Sequence, residues 1–135
     1  MRRRDFAKSA FLSATVAAIA IPAVSEAENA GGLKNVVFSS VDTGHWGSAV
    51  AAKHIPEVTV AGGTVSIKTP HPQSEDHYIV SHTVVLAGGK FLSRKTFSYK
   101  DEPVSEHKLP DGYSGSITVT STCNRHDIWT KAVNV

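Results

Sequence analysis

The sequence holds a single cysteine, Cys123, and a single methionine, Met1. One cysteine excludes an internal disulfide framework. A methionine found only at the start leaves no thioether for a metal site further along the chain. Net charge is scarce as well, with 14 Lys and Arg against 12 Asp and Glu. Of these, Arg2, Arg3, Arg4, Lys8, Asp5 and Glu26 fall in the first 27 residues, so the rest of the chain balances at ten of each sign. A near-neutral domain has no field with which to hold nucleic acid or an anionic membrane, and neither is expected as a partner. Beyond the N-terminal segment there is no apolar stripe of helical period, which argues against a helical domain.

The N-terminal segment has its own pattern. Arg3-Arg4-Asp5-Phe6-Ala7-Lys8 carries the Arg-Arg-x-Phe-x-Lys arrangement of a twin-arginine export signal. The apolar run from Ala10 to Val24 is 15 residues long, short of the roughly 20 a spanning helix needs. Ser25-Glu26-Ala27 then places small residues where a signal peptidase reads. Residues 1–27 are therefore expected to be a cleaved signal and residues 28–135 a single domain, exported by the twin-arginine route to the periplasm. That route carries folded proteins, which suits a cofactor inserted before export. In an oxidising compartment a lone thiol must be buried, joined to another chain, or held as a thiolate by a metal.

Short β-branched segments separated by turns fill the rest. Strands are expected at Asn35–Ser39, Glu57–Val60, Thr64–Lys68, Asp76–Leu86, Phe91–Phe97, Ser114–Thr122 and Ile128–Val135. Ala61-Gly62-Gly63 and Ala87-Gly88-Gly89-Lys90 are hairpin signals. About seven strands in roughly 100 residues predict an all-β fold, an antiparallel sandwich of immunoglobulin-like type. Val41–Pro56, Thr69–Glu75 and Asp101–Gly112 are expected to be loops, the part of a sandwich that usually carries binding chemistry.

Seven histidines are many for this length, and four have tight local contexts: Lys53-His54-Ile55-Pro56, Pro70-His71-Pro72, Asp76-His77-Tyr78 and Cys123-Asn124-Arg125-His126. Prolines near His54 and on both sides of His71 restrict the backbone, so a ligand there loses less entropy on binding. Cys123 and His126 stand three apart where one strand ends and the next begins, and one turn there aims both side chains at one ion. Metal binding is the reading that uses the unpaired thiol and these histidines together. His45, His82 and His107 fit no such context and are expected to be surface or packing residues.

Taken in order, Ala52-Lys53-His54-Ile55-Pro56, His71-Pro72, His77-Tyr78-Ile79 and Cys123-Asn124-Arg125-His126 resemble the iron-binding domain of the superoxide reductases, the neelaredoxin and desulfoferrodoxin family. The resemblance runs from about His45 to the C-terminus. It implies one mononuclear non-haem iron per chain, with His54, His71, His77 and His126 equatorial and Cys123 axial. It implies one-electron reduction of superoxide to hydrogen peroxide, with electrons from an external donor such as a rubredoxin-like protein or a cytochrome, and it allows a homo-oligomer. Lys53, the charged residue beside a ligand, would be catalytic, attracting the anion and organising a proton-donating water.

Two departures stand out. Many members carry glutamate just before the Lys-His pair, and here that position is Ala52. The Cys-rich, rubredoxin-like N-terminal domain of two-iron members is also missing. A cupredoxin-like electron carrier is the main alternative, but its copper needs two histidines, a cysteine and usually a distant methionine. A module using Cys123 as a bare nucleophile would leave four histidines without purpose. An iron-binding sensor or storage protein without rapid turnover is the third, and Ala52 is what favours it.

Overall fold

The computed structural model describes residues 33–135. The expected signal, residues 1–27, lies outside the described residues. Eight strands form two sheets: β1 (Val37–Phe38), β2 (Glu57–Ala61), β3 (Thr64–Lys68), β4 (Ile79–Leu86), β5 (Lys90–Thr96), β6 (Val104–Lys108), β7 (Ser116–Cys123) and β8 (Asp127–Asn134). One sheet has the order β1-β8-β7-β4-β5 and the other β2-β3-β6. All pairings are antiparallel except β1 with β8. The fold is an all-β sandwich, as the strand pattern predicts.

Turn chemistry sets the registers. Ala61 pairs with Thr64, so Gly62 and Gly63 alone close the β2–β3 hairpin. Both have positive φ, +57° and +75°, which a two-residue turn matched to strand twist requires and glycine supplies without strain.

Alternation fills the space between the sheets. Val65 and Ile67 of β3 pack with Val84 and Leu86 of β4, Ile117 and Val119 of β7, and Leu109. The inner faces of two chain segments then change character in steps of two residues. After Val65 and Ile67 come Thr69 and His71; after Ile117 and Val119 come Ser121 and Cys123. All eight side chains are buried. One end of the sandwich is thus apolar and the other presents a hydroxyl layer and then an imidazole and a thiol.

Two expectations need correction. Val41–Pro56 is not all loop: Gly47–His54 forms an α-helix, here α1. Eight residues are too few to show a helical stripe, and Pro56 ends the helix by forcing Ile55 to extended backbone (φ −66°, ψ 125°). Asp101–Gly112 contains β6. Its inward residues are Ser105 and His107, with Glu106 and Lys108 outward, so the period of two is present but the buried face is polar.

Candidate metal centre

Helix α1 brings His54 to the site. A cluster of Phe38, Ala51 and Trp129, with Trp46, Val50 and Ile55 around it, fixes the helix against the β1–β8 edge. His54 Nδ1 then lies 2.7 Å from the Val50 carbonyl, one helical turn back. A carbonyl only accepts, so Nδ1 carries the proton and Nε2 keeps a free lone pair. That Nε2 is buried without a hydrogen-bond partner among the described residues. An orphaned buried acceptor is costly unless something electrophilic meets it.

His71 is held similarly. Its N–H donates to the Thr69 carbonyl at 2.7 Å across Pro70, and Nδ1 lies 3.1 Å from Gln73 Oε1. The same Gln73 oxygen accepts the Ile79 N–H at 2.8 Å, while the amide nitrogen faces the carbonyls of Ile79 and Asp101. Gln73 is thereby oriented as an acceptor toward His71, whose Nε2 is left facing the cluster.

His77 and His126 come from facing turns, and Cys123 is the last residue of β7. Asn124 joins the turns: its Oδ1 accepts the Tyr78 N–H at 2.9 Å and its Nδ2 donates to the Asp76 carbonyl at 3.2 Å. Arg125 and Asp76 add an ion pair of 3.4 Å between exposed side chains, a contribution of little weight. Asp127 closes the β7–β8 turn in the left-handed region (φ +67°), which aspartate tolerates better than most residues. Trp129 Nε1–H donates to the His126 carbonyl at 2.7 Å.

One ligand atom each from His54, His77, Cys123 and His126 lies within 4.8 Å of every other. His71 adjoins them through a 3.1 Å approach of its Nε2 to His77 Nε2. His77 Nε2 is also 2.9 Å from His126 Nδ1, and Cys123 Sγ is 3.8 Å from that same Nδ1. Nitrogen lone pairs packed this closely repel unless a proton or cation lies among them. Burial depresses His54 to about 4, with His71, His126 and His77 adding to the effect. Burial also lowers His71 and His77. These three imidazoles are therefore biased toward the neutral, ligating form. Burial raises the Cys123 thiol, opposed by backbone N–H groups of Arg125 and His126. Nitrogen and sulfur donors with an orphaned lone pair fit a borderline transition metal. His54, His71 and Cys123 are buried and His77 and His126 only partly so, leaving access from one side.

Residues 46–132 match the Desulfoferrodoxin family model. The chain belongs to the desulfoferrodoxin family. Among solved structures, this desulfoferrodoxin domain is similar to the superoxide reductase (1Fe-SOR) of Giardia intestinalis. Identity is 25% and the TM-score 0.56, over 62% of this chain and 98% of that one. The superoxide reductase of Treponema pallidum gives 26% and 0.50, over 59% of this chain and 66% of that one. The superoxide reductase (neelaredoxin) of Ignicoccus hospitalis, at 21% identity and a TM-score of 0.61, covers 73% of this chain and 93% of that one and speaks for the fold alone. None of the curated proteins matches the sequence.

The remaining candidates of the desulfoferrodoxin domain divide by position. Lys53 and Ala52 are exposed on the last turn of α1, beside His54. Among the described residues no hydrogen bond or ion pair engages Lys53. Its charge nevertheless reaches the site, where it contributes to lowering His71. His82 and His107 are buried between the sheets, outside the cluster. Two tryptophans were not singled out by sequence. Trp46 meets the His126 ring edge-on at 4.6 Å and donates to Asp127 Oδ2 at 3.1 Å, while Trp129 lies 5.8 Å from the His54 ring. The adjacency of His45-Trp46 to the motif was the available signal for the first.

Proposed function

We propose that this protein is a one-iron superoxide reductase, made with a twin-arginine signal that is cleaved after Ala27 and working in the periplasm as a single domain of residues 28–135. The observation that carries the reading is the convergence of four imidazoles and the lone thiol of a desulfoferrodoxin domain on one point, with the His54 lone pair unpartnered. His54, His71, His77, His126 and Cys123 would hold the iron. Iron in that setting supplies the one-electron chemistry by which superoxide, with two protons, leaves as hydrogen peroxide.

The chain's own side chains do the rest. His54 and His71, their Nδ1 protons tied to Val50 and Gln73, keep fixed tautomers through turnover. Lys53 draws the anion to the accessible side and orders a water that gives up a proton. Ala52 leaves that approach free of a carboxylate. An external one-electron donor, a rubredoxin-like protein or a cytochrome, would supply the electron that each turnover consumes.

Pulse radiolysis of the ferrous mature protein tests this. Rapid second-order oxidation by superoxide with peroxide as product is expected. A slow reaction without peroxide would overturn it in favour of an iron sensor or store, the reading Ala52 keeps open. Replacing Arg3 and Arg4 with lysine should leave uncleaved protein in the cytoplasm; unchanged export would refute the twin-arginine assignment.

A further inference from the structure

A chain of hydrogen bonds crosses the sandwich just beneath the metal centre, and none of its members is among the five proposed ligands. Ser121 Oγ and Thr69 Oγ1 are 2.8 Å apart. Thr69 Oγ1 lies 2.8 Å from His82 Nε2, and His82 Nδ1 lies 2.8 Å from Ser105 Oγ. Ser105 Oγ continues to His107 Nε2 at 2.9 Å, and His107 Nδ1 reaches Ser93 Oγ at 2.6 Å. Ser121, Thr69, His82, Ser105 and His107 are all buried. A neutral imidazole donates once and accepts once, and so does each intervening hydroxyl. Every link can therefore be satisfied at once, with both ring nitrogens of each histidine paired.

We infer that His82 is a positioning residue for the metal centre: it clamps Thr69 to Ser121 and so fixes the spacing of His71 and Cys123. The inference rests on the reading of those two residues as ligands of one ion. Thr69 stands two residues before His71, and what separates them is stiff. Pro70 has a locked φ, and the Thr69 carbonyl accepts the His71 N–H at 2.7 Å. Ser121 stands two residues before Cys123 on the inner face of β7, and His82 is its register partner on β4. The two ligand-bearing segments thus belong to different sheets and are tied one step behind their ligands.

A second contact points the same way. Phe97 meets the His82 ring edge-on at 4.9 Å and packs with Ile79 and Cys123. An aliphatic residue at 82 would extend the apolar core by one more step. Histidine instead places two directed hydrogen bonds there, which hold only one relative position of their partners.

Cobalt(II) binding to the metal-free mature protein tests the assignment, read as a dissociation constant by chelator competition and as the thiolate-to-cobalt charge-transfer band. Wild-type protein should bind cobalt with that band, and Cys123→Ser should lack it. No band in the wild type would refute the five-ligand reading itself. His82→Phe should weaken binding about 10- to 100-fold, the range seen when a group supporting a ligand is lost, and shift the band. His107→Phe cuts the outer half of the chain without touching Thr69 or Ser121. It should lower folding stability yet leave affinity within about threefold, below that range. His82→Gln, which keeps a donor and an acceptor, should recover most of the loss. Should His82→Phe not fold, Thr69→Val carries the same expectation. Unchanged affinity and band in both His82→Phe and Thr69→Val would overturn the inference. So would equal losses in His82→Phe and His107→Phe, or a loss in His82→Gln as large as in His82→Phe.

Discussion

Val65, Ile67, Thr69 and His71 on one side of the sandwich meet Ile117, Val119, Ser121 and Cys123 on the other, and both series make the same passage from hydrocarbon to hydroxyl to candidate metal ligand. The two-residue alternation of buried side chains persists along both series while the work changes completely. At the far end burial of apolar area holds the sheets together, a force without direction. At the near end position matters more than area, and directed bonds to Val50, Gln73 and Asn124 replace packing. A rigid sandwich can thus carry a site whose mutual repulsion, left unpartnered, works against folding.

The sharpest way to break this comparison is to damage each end separately. Ile117→Ala should cost about 2–5 kcal/mol of stability, the usual range for a buried large-to-small change, and leave the visible spectrum of iron-loaded protein unchanged. Cys123→Ser should abolish the thiolate band while costing the metal-free fold less than Ile117→Ala, about 1–3 kcal/mol for a hydroxyl in place of a buried sulfur. Loss of the band in Ile117→Ala, with protein still folded, would mean the two ends are not separable.

Acid probes the layer between them. His82 is depressed to about 4, by burial first and by the charge of His107 on β6 second. An unfolded histidine takes up its proton near 6.5. Between those values the unfolded chain binds more protons than the folded one, so stability must fall as pH falls from about 6.5 to about 4. His82 alone accounts for up to about 3 kcal/mol of that loss. Urea midpoints of metal-free protein at pH 7, 5.5 and 4.5 should decline, and less steeply in His82→Phe. Parallel declines would place the acid sensitivity elsewhere.

The difference between the ends also explains what could be read from sequence. Val65, Ile67, Ile117 and Val119 follow an alternation that any half-buried strand shows, and the hairpin at Gly62-Gly63 announces itself. His54, His71, His77, Cys123 and His126 could be picked out as candidate ligands because prolines and a strand-end turn frame several of them, and the fold brings the five together. The layer between was not legible. Ser105 and His107 face inward on β6, so a strand with a polar buried face reads as a loop, and His82 reads as one more stray histidine. Their partners are 13 to 52 residues away in the sequence for His82 with Thr69 and Thr69 with Ser121. Only the closed sandwich brings them together. Helix α1 was hidden for a different reason: its eight residues are too few to show an apolar stripe before Pro56 ends it.

At the open side, effects should be smaller and confined to rate. Lys53 is exposed, so Lys53→Ala should leave iron content, spectrum and stability nearly intact. Superoxide oxidation of the ferrous site should slow by about tenfold, the lower end of what focused charge does to on-rates. The wild-type rate should fall with added salt and the variant's less so. Equal salt slopes would remove Lys53 from the mechanism. Smallest of all, Ala52→Glu should shift the charge-transfer band and compete with azide. Equal azide affinity in both proteins would mean that the helix end does not place a carboxylate over the metal.

The central claim is that five side chains of this chain hold one iron, and iron content measured together with the visible spectrum tests it most directly. Mature protein should carry close to one iron per chain. Its oxidised form should show a thiolate-to-iron band that is bleached on reduction and absent in Cys123→Ser. Copper with an intense blue band, or oxidised iron whose spectrum is the same with and without Cys123, would contradict the account.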